Sequence, residues 1–213
     1  MTGNLSKLNE LINTANYAKA EFYLYDLIQK DPNDYNLNKN LGMVLLAQKK
    51  YQGALQSFEK CYFDNNSDTD ILLNLSFLFM KVQDHAQCIK FSEEAINIDP
   101  NLAGVFQNLA TCYLEIHQFD QALNYADKAL EIRGGLNSEE FLKYDDFINL
   151  YSDILLAKKD INQFIKFCET VLNTGHFSPE LFIKLLRQDF KKIKKQYLEV
   201  VENIINKPTQ FSN

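Results

Sequence analysis

The residues of this chain repeat themselves every 34 positions, and that period limits the fold more than any other property of the sequence. Asn40-Leu41-Gly42 returns as Asn74-Leu75-Ser76 and again as Asn108-Leu109-Ala110. Ala54, Cys88 and Ala122 share the same spacing, as do Cys61, Ala95 and Ala129, and Tyr51, His85 and Phe119. One such unit cannot bury its apolar face alone, so copies must stack to complete a core. Gly (7) and Pro (4) are scarce, and Leu, Ala, Glu, Lys and Gln are frequent. These side chains lose little freedom in a helix, so the unit is helical.

With each unit numbered 1 to 34, residues 35–68 put Leu41 at 7, Gly42 at 8, Leu45 at 11, Ala54 at 20, Phe58 at 24 and Cys61 at 27. Residues 69–102 put Leu72, Leu75, Ser76, Phe79, Cys88, Ala95 and Pro100 on the same frame, and residues 103–136 put Phe106, Leu109, Ala110, Tyr113, Ala122, Ala126 and Ala129 there. Residues 1–34 fit in their second half, through Tyr17, Ala20, Leu27 and Pro32, with a degenerate first helix of the kind end repeats carry. Small residues at 8, 20 and 27 let two antiparallel helices approach closely, and large ones at 4, 7, 11 and 24 fill the gaps beside them. Pro32 and Pro100 follow helices they could not continue. Gly134-Gly135 stops the fourth unit. A helix capped by Asn137 or Ser138 then runs to about Lys159 and opens a divergent fifth unit, 145–178, carried by Ile148, Tyr151, Ser152, Leu155, Ile161, Phe164, Cys168 and Val171. Residues 179–213 read as two capping helices, about 179–190 and 192–206, and a short tail, entered through Ser178-Pro179.

This pattern resembles the tetratricopeptide-repeat family over nearly the whole chain, with the missing Trp at position 4 a common variation. The resemblance implies an all-α, right-handed α-solenoid of antiparallel helix pairs, about five repeats plus a C-terminal helical cap. It also implies that the first helices line a concave groove that binds peptides or protein surfaces. Family geometry assigns positions 2, 5, 6, 9, 12 and 13 to that groove, and on this chain the expected contacts are Lys39, Asn40, Met43, Leu73, Asn74, Phe77, Met80, Gln107, Asn108 and Thr111. Asn40, Asn74 and Asn108 all occupy position 6, similar to the asparagine ladder of O-linked N-acetylglucosamine transferase repeats, in which each amide pairs with the backbone of an extended peptide. Asn offers both a donor and an acceptor, which suits that task; the alternative is that these amides bond a neighbouring helix or water. Leu73, Phe77 and Met80 form a second apolar stripe beside the core stripe of Leu72, Leu75 and Phe79, extended by Met43, Leu46 and Leu114. Its alternative is packing against an adjacent helix. Asn149 is a fourth rung only if the fifth repeat shifts by one residue; the preferred register puts Leu150 there. The subtype that grips a C-terminal carboxylate needs cations that are mostly missing here.

Nothing in the sequence points to catalysis, a cofactor or a metal. His85, His117 and His176 fall at turns and helix ends and do not pair at helical spacing. Cys61 and Cys88 stand where the pattern wants a small residue, and Cys112 and Cys168 are equally explained by packing. The net charge of −6 disfavours a broad nucleic-acid surface. A basic run, Lys184, Arg187, Lys191, Lys192, Lys194 and Lys195, reads as the solvated face of a capping helix, with contact to an anionic partner as the alternative. The absence of a signal peptide or a long apolar stretch leads to an expected cytoplasmic address. The expected function is a non-catalytic scaffold for a peptide or protein ligand. The alternatives are a substrate-recruiting module of a larger enzyme, such as a glycosyltransferase, and a homo-oligomeric assembly factor. Because position 20 lies where two helices touch, Ala122→Leu should cost about 1–3 kcal/mol by overpacking; an unchanged melting temperature would place position 20 elsewhere.

Overall fold

The computed structural model describes residues 2–136, 138, 145–174, 180, 181 and 184. Among them lie ten helices: α1 (Thr2–Asn13), α2 (Tyr17–Ile28), α3 (Tyr35–Ala47), α4 (Tyr51–Asp64), α5 (Thr69–Lys81), α6 (His85–Ile98), α7 (Ala103–Glu115), α8 (Phe119–Ile132), α9 (Asp145–Ala157) and α10 (Ile161–Asn173). No strand occurs among the described residues. The chain is an all-α repeat solenoid that divides into two compact units, Met1–Cys112 and Tyr113–Asn213. Most of the expected capping segment, 179, 182–183 and 185–213, lies outside the described residues, as do 137 and 139–144 ahead of the fifth unit and 175–178 at its end.

What makes each first helix stop is a turn repeated five times. Ala15, Lys49, Gln83, His117 and Lys159 all adopt the left-handed conformation, with φ between 53° and 63°. The first four are 34 residues apart, and Lys159 is the fifteenth residue counted from Asp145, as the others are in their own repeats. At each site the next residue's amide reaches back five positions, as in Lys50 N–H to Leu45 O at 2.9 Å and Asp84 N–H to Phe79 O at 2.9 Å. The left-handed residue's own amide bonds the carbonyl three positions back, as in Lys49 to Leu46 and Gln83 to Met80. These two bonds are the Schellman motif, which satisfies carbonyls that a helix end leaves open. The same geometry closes α8, there with Gly134 at φ 86°. It also places the end of the fifth first helix at Ala157, two residues short of the expected Lys159, which is itself the left-handed residue.

Acidic caps set the starts of α3, α5 and α6. Asp34 accepts from the Leu37 amide at 2.8 Å, Asp68 from the amides of Asp70 and Ile71, and Asp84 from that of Gln87. A carboxylate at this place satisfies open N–H groups and faces the positive end of the helix dipole.

Packing inside a pair follows the small-on-large scheme. In the first unit a Cβ added to Gly42 would meet the ring of Phe58 at 2.7–2.9 Å, and Phe58 is fully buried. Ser76 and Ala110 hold the same position in the next two repeats and are fully buried. Leu24, Val44, Ile71, Leu75 and Leu78 complete the core around them. In the second unit Phe147, Ile154, Phe164, Cys168 and Val171 are fully buried, and the rings of Tyr151 and Phe167 stack with centroids 4.7 Å apart. Tyr151 donates its hydroxyl to Asp127 at 2.5 Å, so its polar tip is satisfied at the edge of that core.

Gly42→Ala therefore forces the Phe58 ring aside and should lower stability by about 1–3 kcal/mol, although alanine is the better helix former. A urea titration that shows Gly42→Ala to be neutral or stabilising would mean that α3 and α4 do not meet at this residue.

Candidate protein-binding face

All ten residues expected to meet a ligand lie in the first unit: Lys39, Asn40 and Met43 on α3, Leu73, Asn74, Phe77 and Met80 on α5, and Gln107, Asn108 and Thr111 on α7. Repeat register alone brings them to one side of three successive first helices. Their environments then differ.

Three of the ten are used inside the protein. Asn108 is 6% exposed, and its amide donates to the Ser76 hydroxyl at 2.7 Å, while Ser76 donates to the Leu73 carbonyl at 2.9 Å. This amide joins α7 to α5. Met80 is also 6% exposed and belongs to the core. Leu73 packs against the same core and reaches α7 at Gly104, where an added Cβ would stand 3.2 Å from its Cδ1.

The others remain at the surface. Met43 is 47% exposed, and Asn40, Phe77, Gln107 and Thr111 are half-buried. Asn74, also half-buried, donates its amide to the Asp70 carbonyl at 2.7 Å within its own helix, which leaves its side-chain oxygen as an acceptor. The hydroxyl of Thr111 bonds the Gln107 carbonyl in the same manner at 3.0 Å. The Lys81 ammonium lies 5.2 Å from the centre of the Phe77 ring. The contrast between Asn74 and Asn108 has a local cause. Position 8 of the repeat before Asn108 is Ser76, which supplies an oxygen; position 8 of the repeat before Asn74 is Gly42, which supplies none. In the second unit Asn149 donates to Glu180 at 2.8 Å and accepts from Lys184 at 3.4 Å, so its amide is engaged locally.

Lys39 is held by residues that repeat spacing alone did not single out. Its ammonium contacts Asp68 at 2.9 Å and Asp70 at 3.2 Å, and the Tyr35 hydroxyl donates to the same Asp68 oxygen. Asp68 also caps α5, so one carboxylate ties α3 to the start of α5. Burial by itself would raise the Asp68 pKa, but the bonds from Tyr35 and Lys39 outweigh it and hold the carboxyl below its usual range. Burial would lower the Lys39 pKa, yet its two carboxylates raise it. Burial and the bond to Asp68 both push Tyr35 upward. With both carboxylates beside it, Lys39 has little charge to offer a ligand. Cys61 and Cys168 carry no nucleophilic signature: burial pushes Cys61 to about 11 and Cys168 to about 12, which keeps both protonated near neutral pH. Among the described residues, no three His, Cys, Asp or Glu side chains gather as a metal site, and no helix is long and apolar enough to cross a membrane.

Stacked antiparallel helix pairs closed by one recurring turn define the class of helical-repeat solenoids. Residues 68–134 match the family model described as tetratricopeptide repeat. Residues 68–134 thus carry tetratricopeptide repeats. The chain is 32% identical over 85 residues to the probable UDP-N-acetylglucosamine–peptide N-acetylglucosaminyltransferase SEC of Arabidopsis thaliana, which covers 38% of this chain and 9% of that protein. It is 25% identical over 93 residues to BBSome complex member BBS4 of Bos taurus, covering 44% of this chain and 18% of that one. The chain thus spans less than a fifth of the length of these curated relatives. Among solved structures, MamA residues 41 to the end from Desulfovibrio magneticus RS-1 superposes with a TM-score of 0.71 at 14% identity, over 82% of this chain and 94% of that one. YrrB, described as a TPR protein with an unusual peptide-binding site, gives 0.65 at 13% identity, over 85% and 89%. At these identities the likeness is one of fold.

A pH dependence follows from Asp68. Its folded pKa is depressed, so its contribution to stability is complete above the unfolded carboxylate value of about 3.9 and is lost as pH falls through the lower folded value. Lys39 acts in the opposite sense: its contribution is complete below about 10.4 and fades as pH rises through its raised value. Asp68→Asn should therefore be less stable than wild type by about 1–2 kcal/mol at pH 7. The gap should narrow below about pH 4, and urea titrations across that range measure it.

Proposed function

We propose that the chain is a non-catalytic scaffold that holds an extended segment of a partner protein along the first-helix face of its first unit. The observation that carries this reading is the surface row left by the packing above. Asn40 and Met43 on α3, Asn74 and Phe77 on α5, and Gln107 and Thr111 on α7 recur at positions 5, 6 and 9 of their repeats. Amides and a hydroxyl can pair with the ligand backbone, and Met43 and Phe77 offer apolar contact. Lys39 is neutralised by Asp68 and Asp70 and gives no purchase to a terminal carboxylate, so the favoured segment is one whose apolar side chains meet Met43 and Phe77. Asn108 has a different task in this proposal: it holds α7 on α5 and so fixes the spacing of the face.

A second reading is favoured by the similarity to the SEC transferase: the same face would recruit substrates to a catalytic partner or domain. Both readings use the same contacts, and they differ in what the bound segment meets next.

The test selects extended peptides from a displayed random library against the folded protein and measures their dissociation constants. Each lost neutral hydrogen bond costs about 0.5–1.5 kcal/mol, so replacing Asn40 and Asn74 together by Ala should weaken binding roughly tenfold or more. Phe77→Ala should weaken only peptides with an apolar anchor. Asn108→Ala should show mainly as lost stability. Equal affinity for wild type and the Asn40/Asn74 double variant would move the binding site off this face.

A further inference from the structure

Cys88 on α6 and Cys112 on α7 are both fully buried, and their sulfur atoms lie 2.7 Å apart. The two residues belong to different repeats: Cys88 holds position 20 of the third and Cys112 position 10 of the fourth. The corresponding positions across the two preceding junctions hold Ala20 with Val44 and Ala54 with Leu78, each a small residue followed by a branched apolar one. At this junction both side chains are thiols. The other two cysteines do not share this arrangement. Cys61 bonds the Tyr35 carbonyl through its sulfur at 3.6 Å, and Cys168 lies in the other unit.

We propose that Cys88 and Cys112 form a reversible disulfide that pins α7 to α6, with peroxide as the oxidant. Their separation is well inside the contact distance of two sulfurs and close to the 2.03–2.05 Å of an S–S bond, so closure needs a shift of under about 1 Å. One thiolate attacks the peroxide O–O bond, giving a sulfenic acid and releasing hydroxide. The second thiol then attacks that sulfur, the S–S bond forms, and water leaves. In sum, two thiols and one peroxide become one disulfide and two waters: both sulfurs are oxidised and both peroxide oxygens reduced. Burial selects a small oxidant and sets the rate, because attack requires local opening of the α6–α7 junction. A thiol reductant reverses the step by exchange. The consequence is mechanical. The bond ties the second helix of one repeat to the first helix of the next.

The experiment treats the folded, reduced wild-type chain with hydrogen peroxide, blocks remaining thiols with an alkylating agent under denaturing conditions, and maps the peptides by mass spectrometry. A cross-linked peptide containing Cys88 and Cys112, short of two hydrogens, is expected, with Cys61 and Cys168 both alkylated. Amides of α6 and α7 should exchange more slowly in the oxidised protein, and dithiothreitol should restore both the exchange rate and four alkylated thiols. Oxidation in urea should scatter the pairing among all four cysteines. Because the readout is made on wild type, it does not depend on a variant that folds; Cys112→Ala serves as a control that should yield no cross-link at Cys88. Failure to recover the 88–112 peptide from the folded protein, or recovery of it no more often than from the urea-treated one, overturns the proposal.

Discussion

The ring of Phe58 occupies the space in which a side chain at Gly42 would begin, and that contact is the condition on which the rest of the structure stands. Two helices brought this close bury the flanks of both, and the large residues on either side, such as Leu41 and Leu45, then have neighbours on every side. A β-carbon added at Gly42 would press on that ring, and those flanks would lose contacts that the next repeat cannot restore. The same position is filled by Ser76 and Ala110, and in the second unit by Ser152, all fully buried. The substituents change, but the allowance of space does not.

Polar groups divide the remaining labour. Asp68 serves one helix as its cap and another as the partner of Tyr35 and Lys39, so a single carboxylate sets both where α5 begins and how α3 lies against it. Asn108 and Ser76 do similar work one repeat later, in a dry setting where an unpaired amide would be costly. These bonds give each junction its own character within a common frame. They also remove particular side chains from the surface, and what they leave exposed is the row proposed to bind.

Most of the architecture could be read in the sequence because it depends on residues within one repeat. The 34-residue spacing gave the helix pairs, and the small residues at 8, 20 and 27 gave their contacts. Asn108 shows where such reading stops. Its register matches that of Asn40 and Asn74, yet its orientation is decided by Ser76, a residue of the preceding repeat. Met80 and Leu73 were similarly legible as apolar and at helical spacing, but whether they face a neighbour or a ligand depends on the crowding of α5 and α7. Lys39 looked like a ligand contact until Asp68 and Asp70 were placed beside it. The thiol pair was hidden for the same reason: position 10 carries no family signature, and only stacking brings it to position 20 of the repeat before.

The left-handed residue that closes each first helix bears on how such a chain can change in length. His117 and Lys159 hold equivalent places in their turns but stand 42 residues apart, eight more than the other intervals. The turn inside the pair keeps its geometry at both places, so the added length enters the sequence elsewhere than in that turn. A residue added within that turn would rotate the second helix by about 100° and carry its whole apolar stripe away from the first; residues added between pairs cause no such rotation inside a pair. The chain therefore has two kinds of junction, one closed to insertion and one open to it, and natural variation in length should accumulate at the second.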